Sequence, residues 1–103
     1  MKLAFIVVPL LLLAGCASAT ALPEDIYFDT VREHPGFDAL QDDTIRAVGG
    51  DICNLMKANG DQAYVATLKI LLDEDIEAGD AGAIISMSVF QYCPDQLDKI
   101  PSP

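Results

Sequence analysis

Cys53 and Cys93 stand far apart in a chain of 103 residues, and each lies on an apolar stripe of helical period. If they join, they close most of a small domain on itself. If they do not, little else holds it, because a single core of this size is marginal and small scaffolds usually need a staple. Which outcome applies depends on whether the chain stays in reducing surroundings or leaves them. That question is answered at the N-terminus.

Residues 1–15 read as a targeting segment. Lys2 gives a weakly positive start, Leu3 to Leu13 is an uninterrupted apolar run, and small residues follow from Ala14 to Ala19. This is the pattern of a secretory signal. The run is shorter than the ~20 residues a spanning helix needs. Pro9 inside it argues against a stable structural helix, and a segment with no polar face is a poor core helix. Leu13-Ala14-Gly15-Cys16 matches a bacterial lipobox, whose cysteine receives a diacylglyceryl group. Two acyl chains on Cys16 would anchor the protein durably, where one would not. A competing cut exists: Ala17-Ser18-Ala19 and Ala19-Thr20-Ala21 both fit the small-x-small rule of an ordinary secreted protein. The apolar run ends at Leu13, several residues before those sites, and this favours Cys16 as the anchor. With Cys16 lipidated or removed, Cys53 and Cys93 remain, and two cysteines in an oxidising compartment make one disulfide. The rival reading, two unpaired buried thiols in a cytosolic protein, sits poorly with the signal segment.

Charge narrows the partners. The chain has six basic and sixteen acidic residues; removing residues 1–15 takes away only Lys2, leaving five against sixteen, formally −11. Nucleic acid and anionic headgroups repel such a surface. The sequence therefore predicts no nucleic-acid partner, and membrane attachment only through a lipid anchor on Cys16.

Periodicity gives the rest. Residues 16–23 read as a flexible tether. Pro23 followed by Glu24 and Asp25 starts a first helix, expected over 24–33, with Ile26, Tyr27 and Val31 as its contacts. His34-Pro35-Gly36 breaks it. Asp42, Asp43 and Thr44 offer caps to a second helix with Ile45, Val48, Ile52 and Leu55 at helical spacing, closed by Asn59-Gly60. Gly49, Cys53 and Met56 form a neighbouring stripe, on which Gly49 removes bulk where another helix could approach. A third helix, capped by Asp61, is expected over 62–72 with Val65, Leu68 and Leu72 inward and Tyr64 and Leu71 beside them. A fourth runs from Glu77 or Asp80 to Tyr92 using Ile85, Val89 and Tyr92, and Pro94 stops it. Residues 98–103 read as a disordered tail. No alternating strand pattern competes. The expected fold is all-α: a small four-helix domain over 24–97, stapled by one disulfide, after an N-terminal signal peptide. Closing the loop between Cys53 and Cys93 without strain is worth about 3–4 kcal/mol in the chain-entropy model, comparable to the whole net stability of such a domain.

Gly50-Asp51-Ile52-Cys53-Asn54-Leu55, a glycine soon after at Gly60, and Tyr92-Cys93-Pro94 resemble the family called domain of unknown function 732, small exported helical proteins found chiefly in actinobacteria and their phages. The resemblance covers about 24–97. Gly50, Cys53, Tyr92, Cys93 and Pro94 match its Gly-x-x-Cys helix and its closing Tyr-Cys-Pro; Ala81, Ile84 and Ile85 fit its last helix less tightly. It implies a helical fold and the Cys53–Cys93 disulfide, and no activity. Many members look simply secreted, so a lipobox is a departure from them.

No residue set points to catalysis. His34, the only histidine, lies in a turn with no nucleophile and orienting acid arranged around it. Cys53 and Cys93 lack the Cys-x-x-Cys spacing of a redox pair, and two thiols with one distant histidine do not make a zinc set. Asp73, Glu74, Asp75, Glu77 and Asp80 form an acidic stretch. A calcium loop of EF-hand type starting at Asp73 would need glycine at Ala78 and an acid at Ile84, and both fail. The stretch reads as a solvated turn, with a docking patch for a basic partner and a divalent-cation site as the functional alternatives. Gly49-Gly50-Asp51 and Gly79-Asp80-Ala81-Gly82 lack the surroundings of a cyclic-dinucleotide synthase and a phosphate loop.

The sequence thus predicts a protein that is not an enzyme, needs no cofactor, metal or small-molecule substrate, and binds or masks an envelope protein from the extracytoplasmic face of the cell membrane. One specific form is a phage-borne lipoprotein that excludes other phages; the alternative is a freely secreted interaction module.

Overall fold

A computed structural model describes residues 21–101, so the targeting segment 1–15 and Cys16 lie outside the described residues. Four α-helices follow in order: α1 (Glu24–Val31), α2 (Asp42–Ala58), α3 (Ala63–Asp73) and α4 (Ala78–Tyr92). Short 3-10 turns lie at Gly60–Gln62 and Pro94–Lys99. Among the described residues there is no strand, and no helix is long and apolar enough to cross a membrane. The all-α, four-helix expectation holds. α4 is the central element: it packs on α1, α2 and α3, and the closing 3-10 turn folds back against it and α2.

α1 starts at Pro23, whose carbonyl accepts the amides of Ile26 and Tyr27 at 3.1 Å each. The acids Glu24 and Asp25 fill its first turn, where the helix dipole favours them. It buries Tyr27, Phe28 and Val31, whereas Ile26 is 48% exposed. Ile26 sits one step round the helix from the centre of that stripe, and Phe28 takes the inward place expected for it. The helix ends at Val31, two residues early. Glu33 and His34 instead bond back to the carbonyls of Thr30 and Val31, and Gly36 takes φ +96°, which lets the chain drop Phe37 into the core.

α2 has Gln41 at its N-cap position and no side-chain cap. Asp42 and Asp43 lie inside the first turn and pair with arginines, Asp42 with Arg32 and Asp43 with Arg46. Its buried line is Ile45, Gly49, Ile52, Cys53 and Met56, so the expected neighbouring stripe is the centre of the contact and Val48 flanks it. Gly60 follows the helix with φ +54°, the left-handed conformation expected of it.

α3 faces the other way from the expectation. It buries Ala63, Thr67 and Leu71, while Val65 is 62% and Leu72 41% exposed; Leu68 and Tyr64 pack at the margin. This helix is apolar on nearly every side, so spacing alone admits two stripes. The small side chains of Ala63 and Thr67 permit the closer approach, and the Thr67 hydroxyl meets Met56 Sδ at 3.7 Å across the contact with α2. Asp61 does not cap α3: the 3-10 turn Gly60–Gln62 leads into it, with Gln62 bonding back to Asn59.

Cys53 and Cys93 form the disulfide, with Cα atoms 6.0 Å apart, inside the ordinary span of such bridges. Both sulfur-bearing residues are buried. Pro94 halts α4, and the following turn brings Lys99 Nζ to 3.1 Å from the Met56 carbonyl, one of the acceptors that the end of α2 leaves unpaired. Ile100 packs against the core. The expected disordered tail 98–103 is therefore ordered as far as Ile100, because it has a carbonyl to satisfy and apolar surface to cover.

Candidate functional site

Three places gather polar chemistry. The first lies where α1, α2 and α4 meet. Gly49 lacks a Cβ, and the Tyr92 ring and the Tyr27 hydroxyl occupy the space: a Cβ there would stand 2.6 Å from one Tyr92 ring carbon and 2.9 Å from Tyr27 Oη. The Tyr27 and Tyr92 rings meet edge to face at 5.4 Å, and Tyr27 Oη shares a 3.0 Å hydrogen bond with the buried Ser88 hydroxyl. Tyr92 Oη donates to Glu24 Oε2 at 2.6 Å. Arg46 grips the same carboxylate with two nitrogens, at 3.1 and 3.0 Å, and lies over the Phe28 ring at 5.2 Å. This bidentate fork is the stronger kind of ion pair. The hydrogen bonds from Arg46 and then Tyr92 hold the Glu24 carboxyl below its ordinary range. Burial, then the bond to Glu24, pushes the Tyr92 phenol up; burial likewise raises Tyr27.

Beside this network, Gln91 holds the backbone of Leu22. The Leu22 amide donates to Gln91 Oε1 at 3.0 Å, and Gln91 Nε2 donates to the Leu22 carbonyl at 2.7 Å. The last residues of the expected tether 16–23 are thus fastened to α4.

The second place is the turn between α3 and α4. Asp73, Glu74, Asp75 and Glu77 are all exposed, and Asp75 takes φ +67° to reverse the chain. Asp80 does not join them. It turns back to the third place, where His34 Nδ1 meets Asp80 Oδ1 at 2.7 Å, tying the turn after α1 to the first turn of α4. The five acids expected as one patch divide into four facing water and one holding the fold. Among the described residues, no three of His, Cys, Asp or Glu are grouped to hold a metal ion.

The sequence reading missed Gln91, Ser88 and the Glu24–Arg46–Tyr92 network. Gln91 and Ser88 break the apolar line of α4, and a polar residue flanked by core positions is the one signal that pointed to them.

What these features define is a small all-α domain closed by one disulfide, with a tyrosine-lined helix crossing at its glycine. The chain belongs to the family described as protein of unknown function (DUF732), whose model matches residues 23–95, a span that takes in all four α-helices and both bridged cysteines. Neither a curated protein nor a solved structure matches it.

Proposed function

We propose that this is an exported lipoprotein of the cell envelope, held at the outer face of the cytoplasmic membrane through Cys16 and acting by binding a partner rather than by catalysis. The observation that carries the reading is the division of the cysteines. Three are present, and the domain uses Cys53 and Cys93 on each other. The remaining one, Cys16, stands at the end of Leu13-Ala14-Gly15-Cys16, behind an export-type apolar run. A disulfide also suits an oxidising compartment. The exposed acids Asp73, Glu74, Asp75 and Glu77 offer a single-signed surface to a basic segment of an envelope protein. Exclusion of other phages is one specific form this binding could take.

Replacing Cys16 with alanine moves the protein from the membrane fraction to the medium, and intact mass of the unaltered protein carries the added acyl chains. Unaltered protein found free in the medium, without that mass, overturns the lipid anchor. One observation favours a second reading, a freely secreted module. The cut after Ala21 in Ala19-Thr20-Ala21 would fall next to Leu22, where the fastened fold begins. The same mass measurement separates the two.

A further inference from the structure

Gln91 is only 8% exposed although it carries an amide, and it uses that amide to grip the backbone of Leu22 from both sides. The chain is therefore fixed to the domain at Leu22, and only Ala17 to Ala21 lie between that point and Cys16. Six Cα steps reach at most about 20 Å when fully extended. A domain anchored at Cys16 therefore stays within about 20 Å of its membrane. It must present some face to it, and the face is constrained by where the chain leaves.

Resting on the lipid-anchored reading of Cys16, we propose that the domain docks on the bilayer surface through the corner where its chain emerges, with Leu22 and Ile26 as its apolar contacts and the acidic turn held away. Leu22 is 42% and Ile26 48% exposed, and both stand at the N-terminal end of α1. Of the acids at this end of α4, Glu24 is neutralised by the Arg46 fork, Asp25 lies at the positive end of the helix dipole, and the exposed Asp95 and Asp98 follow in the closing turn, with Lys57 and Lys99 close enough to act on Asp95.

Charge selects the orientation. α4 runs from Ala78, just after the acidic turn, to Tyr92, just beyond Gln91. Its 15 residues rise about 20 Å. The exposed acids Asp73, Glu74, Asp75 and Glu77 thus lie at the far end of α4 from the Leu22 grip. That separation is about two screening lengths at physiological salt. Anionic headgroups repel the acidic turn least in this pose and most in the inverted one. Half-exposed apolar side chains gain by entering the interfacial region.

The chain contains no tryptophan, so a single one reports its own surroundings. Ile26→Trp and Leu72→Trp place the probe at the emergent corner and beside the acidic turn, both at sites open enough to take the ring. The chain from Cys16 onward keeps every described residue, and with Cys53 and Cys93 bonded its free thiol is Cys16. That thiol is coupled to a maleimide-bearing phosphatidylethanolamine in vesicles of phosphatidylcholine and phosphatidylglycerol, brominated next to the headgroup. The expected result is several-fold greater quenching of Ile26→Trp than of Leu72→Trp, with a blue shift for Ile26→Trp alone. Equal quenching of both, quenching of neither, or stronger quenching of Leu72→Trp overturns the proposal. Because the coupling is chemical, these outcomes judge the docking pose, while intact mass of the native protein judges the lipid anchor separately.

Discussion

Replacing Gly49 with alanine tests the central packing claim, that α2 carries a glycine because Tyr92 and Tyr27 fill the place of its side chain. The added Cβ would stand 2.6 and 2.7 Å from two Tyr92 ring carbons and 2.9 Å from Tyr27 Oη. None of these atoms can simply swing clear. Tyr92 is held at its hydroxyl by Glu24 and precedes the bridged Cys93, and Tyr27 is held by Ser88. Overpacking of this kind costs about 1–3 kcal/mol. Against this, alanine gains about 1 kcal/mol over glycine in a helix interior. The net expectation is a loss of up to about 2 kcal/mol. Gly50 supplies the control. It lies in the same helix with nothing within 4 Å of its added Cβ, so Gly50→Ala should gain about 0.5–1 kcal/mol. Urea unfolding of the oxidised protein, followed by far-UV circular dichroism, gives both values. Placing Gly49→Ala in a Tyr92→Ala background should remove most of the penalty. If Gly49→Ala matched Gly50→Ala, the close approach would be wrong.

Three further outcomes follow from the same geometry. Replacing Cys53 and Cys93 by alanine should lower stability by about 4 kcal/mol; an unchanged melting curve would remove the staple from the account. Glu24 has its carboxyl lowered below 4.5 by Arg46 and Tyr92, so it contributes stability above that value and loses it as pH falls through the lowered one. Tyr27 and Tyr92 are raised above 10.0, so stability present below pH 10 declines as pH rises past it. Glu24→Gln should flatten the acid limb of a stability–pH curve, and a limb of unchanged steepness would contradict the Glu24 network. On α3, Leu71→Ala should cost about 2–3 kcal/mol, whereas Leu72→Ala should stay within about 0.5 kcal/mol; the reverse order in thermal unfolding would restore the other face.

The sequence made legible whatever depends on local period or on single residues of unusual chemistry. The helix count followed from the apolar spacing, the stops from His34-Pro35-Gly36, Gly60 and Pro94, and the disulfide from the two cysteines. Gly49 was readable because a glycine on a buried stripe has few purposes other than close approach. The face of α3 was not readable, since Val65, Ile70, Leu71 and Leu72 put apolar groups all round it and only the partner surface at Met56 decides among them. The pairs Glu24–Arg46, Leu22–Gln91 and His34–Asp80 were invisible for a different reason: each joins positions remote in the chain, where spacing carries no signal.

The cross-link also sets how the protein bears load. Were the N-terminal end fixed and a binder to tug on the acidic turn, force would enter at Leu22 and leave inside the loop bounded by Cys53 and Cys93. Peeling α1 and the first part of α2 could pay out on the order of 100 Å of chain. Beyond the sulfur bridge the load would divide between the two arms of the closed loop, and the shorter one, from Cys93 back to Asp75, would cap further extension at about 60 Å.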